Sequence, residues 1–263
     1  MIDNDQNIQH WLEQLPPISL DEMSGIKLMN RTDTKFVTNK RKLAQLLELA
    51  QGKYFAQQID EARIANYRTV YWDTPEYRFF LEHHNGRAPR QKIRVRTYVD
   101  SGLTFLEVKT KNNHGRTKKK RITVPDHDRA VIIKAGGSEF TQKLTGETFD
   151  DINPTVQNRF QRITLVNNGK TERLTIDFNV QFHNFETKTD VGTGELVIIE
   201  LKRDGNVYSP VLDILRRLRI KPSGFSKYCI GSVMTNDRLK NNLFKEKLVR
   251  ISKYSGEKIT QNH

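Results

Sequence analysis

Cysteine is almost missing from this sequence: Cys229 is the single thiol in 263 residues. No intrachain disulfide can form, and a metal site built from several thiolates is excluded. No apolar run approaches the roughly 20 residues that cross a membrane as a helix. The first ten residues, MIDNDQNIQH, are polar and acidic, unlike the basic-then-apolar start of a secretion signal. These absences predict a soluble chain of a reducing compartment, the cytoplasm. No GxxxxGK(S/T) or GxGxxG loop occurs, and no HExxH, so the common phosphate-loop and zinc-protease motifs are excluded. Acidic residues are also in deficit, with 31 Asp and Glu against 44 Lys and Arg, a net charge of +13. Such a balance points to an anionic partner: nucleic acid, a membrane surface or a phosphate-rich molecule.

What is present reads as one domain of strands joined by short turns, without repeats or low-complexity tracts. A short helix around Trp11 and Leu12 should stop before Pro16-Pro17. Strands are predicted at about 30–37, 63–72, 91–99, 103–111, 117–124, 155–166, 172–182 and 194–203. Helices are predicted at about 39–51 (ending at Gly52), 127–146 (interrupted at Gly136-Gly137), 209–219 and 226–236. Short connections favour antiparallel pairing. The expectation is an α+β fold, an antiparallel sheet or closed barrel with peripheral helices. Its parts are an N-terminal segment 1–29, a central domain 30–236 and a basic C-terminal segment 237–263.

The strands share one pattern. In QKIRVRTYV, Lys92, Arg94 and Arg96 occupy one face and Ile93 and Val95 the other, because side chains alternate along a strand. The same alternation sets Arg31, Asp33 and Lys35 on one face, then Glu107, Lys109 and Lys111, then Lys119 and Arg121. It recurs for Arg173, Thr175 and Asp177, and for Glu200 and Lys202. A single such strand is explained by a solvent-facing side. Across six strands the polar faces are dominated by cations, which repel one another across neighbouring strands. Cations crowd in this way when they enclose an anion, and Arg suits bidentate phosphate contact. Turned inward, these faces make a basic tunnel for a chain of phosphates. Asp33 and Asp177 read as charge balance, and Glu107 and Glu200 as charge balance or as ligands of a divalent metal. Glu200, mid-strand between Ile199 and Leu201, is the first choice for a divalent-metal ligand, since a phosphate site needs only one or two carboxylates.

The ordered series RTDTKFV, VYWDTP, KIRVRTY, LEVKTK with KKKR, FQR, RLTID, IIELK and GFSKY resembles the VTC domain. That domain is the polyphosphate polymerase branch of the triphosphate tunnel metalloenzymes, which include the CYTH proteins. The resemblance spans about residues 30–235. It implies an eight-stranded antiparallel tunnel that transfers the terminal phosphate of ATP to a polyphosphate chain, using a divalent metal, Mn2+ or Mg2+. It implies phosphate contacts from Lys35, Arg94, Arg96, Lys109, Lys119, Arg173 and Lys227, with Ser226 beside Lys227, Arg162 as a further tunnel cation, and Glu200 on the metal. Arg31, Lys111, Arg121 and Lys202 join the substrate-binding set through the faces they share. The pattern departs at Gly224, where the family carries a lysine; Lys221 is the nearest replacement in sequence. Membrane-spanning segments fused to some relatives have no counterpart here, which leaves a membrane-bound partner protein open.

Two other classes compete. A metal-dependent tri- or polyphosphate hydrolase, or a non-catalytic polyphosphate sensor, would use the same tunnel. A single-stranded nucleic-acid binder would need aromatics among the cations; the basic faces offer chiefly Tyr98 and Phe105, and a tunnel would exclude duplex. His83-His84 reads as a surface pair whose rings diverge along a helix, and Cys229 as a packing residue. The tail cations Arg238, Lys240, Lys245, Lys247 and Arg250 read as a solvated amphipathic helix.

Overall fold

A computed structural model describes residues 3–24, 26, 31–113 and 116–256, with the backbone alone at Arg31. In chain order the elements are α1 (Asn4–Glu13), β1 (Pro17–Ile18), α2 (Leu20–Ser24), β2 (Arg31–Asn39), α3 (Lys40–Leu49), β3 (Tyr54–Gln57), β4 (Ala65–Asp73), α4 (Arg78–His84), β5 (Arg90–Tyr98), β6 (Leu103–Lys111) and β7 (Thr117–Thr123). They continue with α5 (Arg129–Lys134), α6 (Gly137–Thr145), β8 (Asn153–Asn167), β9 (Glu172–Asn184), β10 (Asp190–Gly192), β11 (Leu196–Asp204), α7 (Pro210–Arg217), α8 (Lys227–Thr235) and α9 (Lys245–Ser255).

Eight strands form one path, β2-β11-β9-β8-β4-β5-β6-β7, with antiparallel pairing throughout. Three short strands attach to it: β10 on β9, and β3, itself paired in parallel with β1, on β8. The β5–β6 link is tight because Gly102 takes a left-handed backbone, φ 67°, that other residues resist.

Alternation decides the layers. Residues of one parity, such as Ile163, Leu174, Ile176, Ile199 and Leu201, pack under α1, α3 and α7. On β4, β5 and β6 the same parity supplies Val70, Trp72, Ile93, Val95, Leu106 and Val108, covered by Ile132 of α5, Phe149 and Ile152. The opposite, inner face is apolar only at one end. There Val37, Val156, Val180, Phe182 and Ile198 pack against Tyr228, Ile230 and Val233 of α8 and Leu248 and Ile251 of α9. Helix α8 lies so close to β9 that a Cβ at Gly231 would fall 2.4 Å from the Phe182 ring.

The expected closed barrel is not found: β2 and β7 are the two ends of the strand path and do not pair among the described residues. The free edge of β2 is occupied instead by the chain before α8, with Phe36 bridged to Pro222 and Ser223 N–H donating to the Lys35 carbonyl at 2.7 Å. On the other side β7 is exposed from Thr117 to Arg121. Its run of Lys118, Lys119, Lys120 and Arg121 is the kind of edge that resists strand addition.

His83-His84 also differ from the expectation. They sit in α4, which packs on β5 and α8, so His84 is buried with its ring edge-on to Phe244 at 5.2 Å. His83 is half-buried; burial first, then the charges of Lys92 and Arg90, push its pKa down to about 2. The four-residue β3 and seven-residue α4 are too short to show a period of their own. Among the described residues no helix is long and apolar enough to cross a membrane.

Candidate functional site

The polar remainder of the inner face is a groove, and register sets what faces what. Lys92 on β5 lies opposite Lys109 on β6, which lies opposite Lys119 on β7. Three lysines thus form one cross-strand rung with no carboxylate in it. The next rung alternates, Arg94–Glu107–Arg121, and Arg96 faces Phe105. On the other wall Lys35 pairs with Glu200, Lys202 lies between Asp33 and Arg173, and Asp177 faces Arg162.

Two carboxylates are consumed by cations. Glu107 is fully buried; Arg94 Nε donates to its Oε2 at 2.7 Å and Lys119 Nζ to its Oε1 at 2.9 Å. Burial opposes its charge, but Arg94 and Arg96 overcome it and hold the carboxyl well below the usual range. Asp177 accepts from Arg162 Nε at 2.6 Å and NH2 at 2.8 Å, and also from Lys227 Nζ. It too is held below the usual range, with Arg162 and Lys227 outweighing burial.

Arg96 and Lys109 bond to no carboxylate among the described residues. Arg96 is buried; its Nε donates to Thr69 Oγ1 at 3.1 Å, and its guanidinium lies over the Tyr67 ring at 5.6 Å. Burial, then Arg94 and Arg162, lower its pKa to about 10. Lys109 makes no hydrogen bond or ion pair with a described residue, and the neighbouring Arg94 charge and burial push its pKa well down. Burial likewise takes Lys92 and Lys227 to about 8. Desolvated cations that repel one another are costly to keep charged, even where, as at Lys227, a carboxylate is in contact.

The segment before α8 joins the two walls. Lys35 Nζ donates to the Phe225 carbonyl at 3.0 Å, and Lys92 Nζ to Ser226 Oγ at 3.0 Å. Ser226 also caps α8, accepting from Cys229 N–H, so Lys227 enters the groove from the first helical turn. Cys229 itself is buried, as expected. At Gly224 the nearest side chain is unexpected: among the described residues, the one atom within 4 Å of a Cβ placed there is Lys247 Nζ of α9, at 3.9 Å. Lys221 is exposed.

Glu200, the expected metal ligand, pairs with one lysine and keeps its charge. Burial would raise its pKa, but Lys202 and Lys35 bring it to about 2, so it stays ionised. Oε2 pairs with Lys202 at 3.1 Å, and Oε1 has no hydrogen-bond partner among the described residues. Those residues contain no group of three or more His, Cys, Asp or Glu able to cage an ion. A single ionised oxygen beside lysines fits a hard cation that takes its other ligands from phosphate and water.

The structure therefore brings Lys35, Arg94, Arg96, Lys109, Lys119, Arg121, Arg162, Lys202, Ser226, Lys227 and Glu200 to one concave face. Arg173 lies at the far end, where its NH2 reaches the Met23 carbonyl at 3.3 Å. Lys111 ends β6 opposite Arg90. The Arg31 side chain lies outside what the structure describes. Charge balance was the expected role of Asp177; which cations it and Glu107 hold, Arg162 and Lys227 for the one and Arg94 and Lys119 for the other, was not, nor was the stacked Tyr67–Phe160 pair, centroids 5.1 Å apart. Alternation alone places Tyr67 and Phe160 inward once their strands pair at that register.

An open antiparallel sheet with a cation-lined inner face and one end plugged by a helix is the architecture of the tunnel fold. The sequence matches the VTC domain family over residues 30–236, and the chain belongs to that family. No curated protein matches it in sequence. Among solved structures it is similar to a candidate adenylyl cyclase from Hippeastrum with a dominant triphosphatase activity, at 14% identity and a TM-score of 0.50, covering 77% of this chain and 95% of that one. A candidate adenylate cyclase from Bacillus halodurans aligns at 12% identity and a TM-score of 0.49, over 75% of this chain and 96% of that one. These identities speak to the fold alone, and the first of the two carries it.

Proposed function

We propose that the groove holds phosphate chains and that the protein transfers the terminal phosphate of ATP to the end of a polyphosphate, with Glu200 holding Mn2+ or Mg2+. The observation that carries this reading is the Lys92–Lys109–Lys119 rung beside Arg96, cations in register across three strands of which, among the described residues, Lys119 alone is bonded to a carboxylate, that of Glu107. Cross-strand like charges are destabilising, so the fold tolerates here what a phosphate chain would relieve. The residue set is carried by the domain over 30–236, with the segments 1–29 and 237–263 flanking it.

Phosphoryl transfer asks a protein for position and charge neutralisation more than for covalent chemistry. Arg94 and Arg162 are held by Glu107 and Asp177, so their guanidinium groups are oriented before substrate arrives. Arg96 and Lys109 supply charge that is bonded directly to no carboxylate among the described residues. Lys35, Lys92, Ser226 and Lys227 converge where the segment before α8 meets both walls, and this is the place for the reacting phosphates. A divalent cation on Glu200 would neutralise oxygen charge there; the lysines around it favour binding of the ion together with phosphate over binding of the ion alone.

A hydrolase that gives the phosphate to water is the second reading. Among the described residues the outer edge of β7 has no strand partner, which leaves the groove open along one side, and Gly224 stands where the family carries a lysine. The triphosphatase activity of the Hippeastrum protein also favours it. Incubation with ATP and Mn2+, assayed together for ADP, free phosphate and polyphosphate, separates the readings. ADP with polymer is expected. Free phosphate without polymer indicates the hydrolase, and no turnover despite tripolyphosphate binding indicates a sensor.

A further inference from the structure

Tyr98 and Phe105, which alternate with cations along β5 and β6, are neighbours in space. Their rings meet edge to face at 5.9 Å. Tyr98 also leans on Tyr67 at 5.1 Å, and the Arg121 guanidinium lies 4.2 Å over the Phe105 ring. Tyr67 and Phe160 behind them are buried, so they are not free to stack on anything else, and Arg96 and Arg162 contact both of their rings. Tyr98 and Phe105 are only half-buried. The aromatic corner is thus continuous with the phosphate cations through Arg96, which faces Phe105 across the β5–β6 pair.

We infer that this corner of Tyr98, Phe105 and Arg121 is a nucleobase site, which seats the base of a nucleoside triphosphate while its phosphates run inward past Arg96 towards Lys109 and Lys92. The inference rests on the phosphate reading of the groove and adds the part of the substrate that phosphates do not specify. A half-exposed pair of rings next to a guanidinium offers stacking and cation–π contact to any base. It offers no fixed hydrogen-bond pattern, so the site selects a nucleoside over a bare phosphate chain rather than one base over another. Arg121 then belongs to the nucleoside end and not to the phosphate rung.

The test is calorimetric titration of ATP and of inorganic tripolyphosphate, in EDTA, into the full chain and into a Tyr98→Leu, Phe105→Leu double variant. Stacking on an aromatic contributes about 1–3 kcal/mol, so ATP affinity should fall roughly tenfold or more in the variant. Tripolyphosphate affinity should change less than about twofold, which also shows that the variant is folded. A wild type that does not bind tripolyphosphate overturns the phosphate reading and this one with it. If tripolyphosphate binds normally and ATP is unaffected by the double variant, or if both ligands weaken together, the nucleobase site alone is overturned. A single-stranded oligothymidylate that binds tighter than ATP, and loses its affinity in the variant, would assign the corner to nucleic acid instead.

Discussion

Lys92 of β5 donates its ammonium to the Ser226 hydroxyl that caps α8, at 3.0 Å. One hydroxyl therefore holds both the helix that plugs the groove and a lysine of the three-lysine rung. Ser226→Ala should lose the cap, at about 1 kcal/mol of stability, and also weaken tripolyphosphate binding. Ser226→Asp should keep the cap but neutralise Lys92, so its melting temperature should hold while tripolyphosphate affinity falls. Full affinity in the Asp variant would separate Lys92 from the substrate.

Arg94 and Arg96 look equivalent in sequence, yet only Arg94 is paired with Glu107. Arg96→Ala should weaken tripolyphosphate binding by about 1.5–3 kcal/mol, the scale of a charged hydrogen bond, and leave thermal stability nearly unchanged. Arg94→Ala leaves a fully buried carboxylate with Lys119 alone, so it should destabilise the fold by about 3 kcal/mol. Paired binding and denaturation curves check both, and equal stability losses would contradict the difference.

Glu200→Gln keeps shape and removes the ligand charge. Metal-dependent turnover of ATP should be lost, and tripolyphosphate binding in EDTA should be retained or tightened, because a negative charge has left a basic groove. Retention of both rate and metal dependence would show Glu200 to be a charge-balancing residue.

The lysines set two opposed pH trends. Lys92 and Lys227 titrate near 8 when folded, against an ordinary value of 10.5. Above about pH 8 the unfolded chain then binds more protons than the folded one, so stability of the free protein should rise between about pH 8 and 9.5. Tripolyphosphate binding needs the charged lysines and should weaken over the same interval. Thermal unfolding with and without tripolyphosphate reads both, and parallel trends would refute the assignment.

A phosphate groove also differs from a basic surface. Replacing Arg238, Lys245 and Lys253 by Gln should lower affinity for duplex DNA, whose binding follows counterion release. It should leave tripolyphosphate affinity within about twofold, since these exposed side chains lie outside the groove. Truncation is a poorer test, because Phe244, Leu248 and Ile251 are part of the core against α8.

What the sequence determined by itself was the alternation, and with it each strand's two faces. The pattern in QKIRVRTYV is local, a consequence of side chains pointing to opposite sides of a strand. Most strands, the inward cations and the ordered family series could therefore be read without coordinates. Pairing could not. That Glu107 binds Arg94 and Asp177 binds Arg162 and Lys227, while Arg96 and Lys109 bond to no carboxylate among the described residues, depends on register between strands distant in the chain. So does the meeting of Tyr98 with Phe105. Closure was misjudged for the same reason: whether β7 reaches β2 depends on which segment claims the β2 edge, and the stretch around Pro222, nearly 190 residues further along the chain, claims it. His84 became buried and His83 half-buried because α4 is packed between β5 and α8. Periodicity is a property of neighbours in sequence, whereas ion pairing, edge capture and burial are decided by neighbours in space.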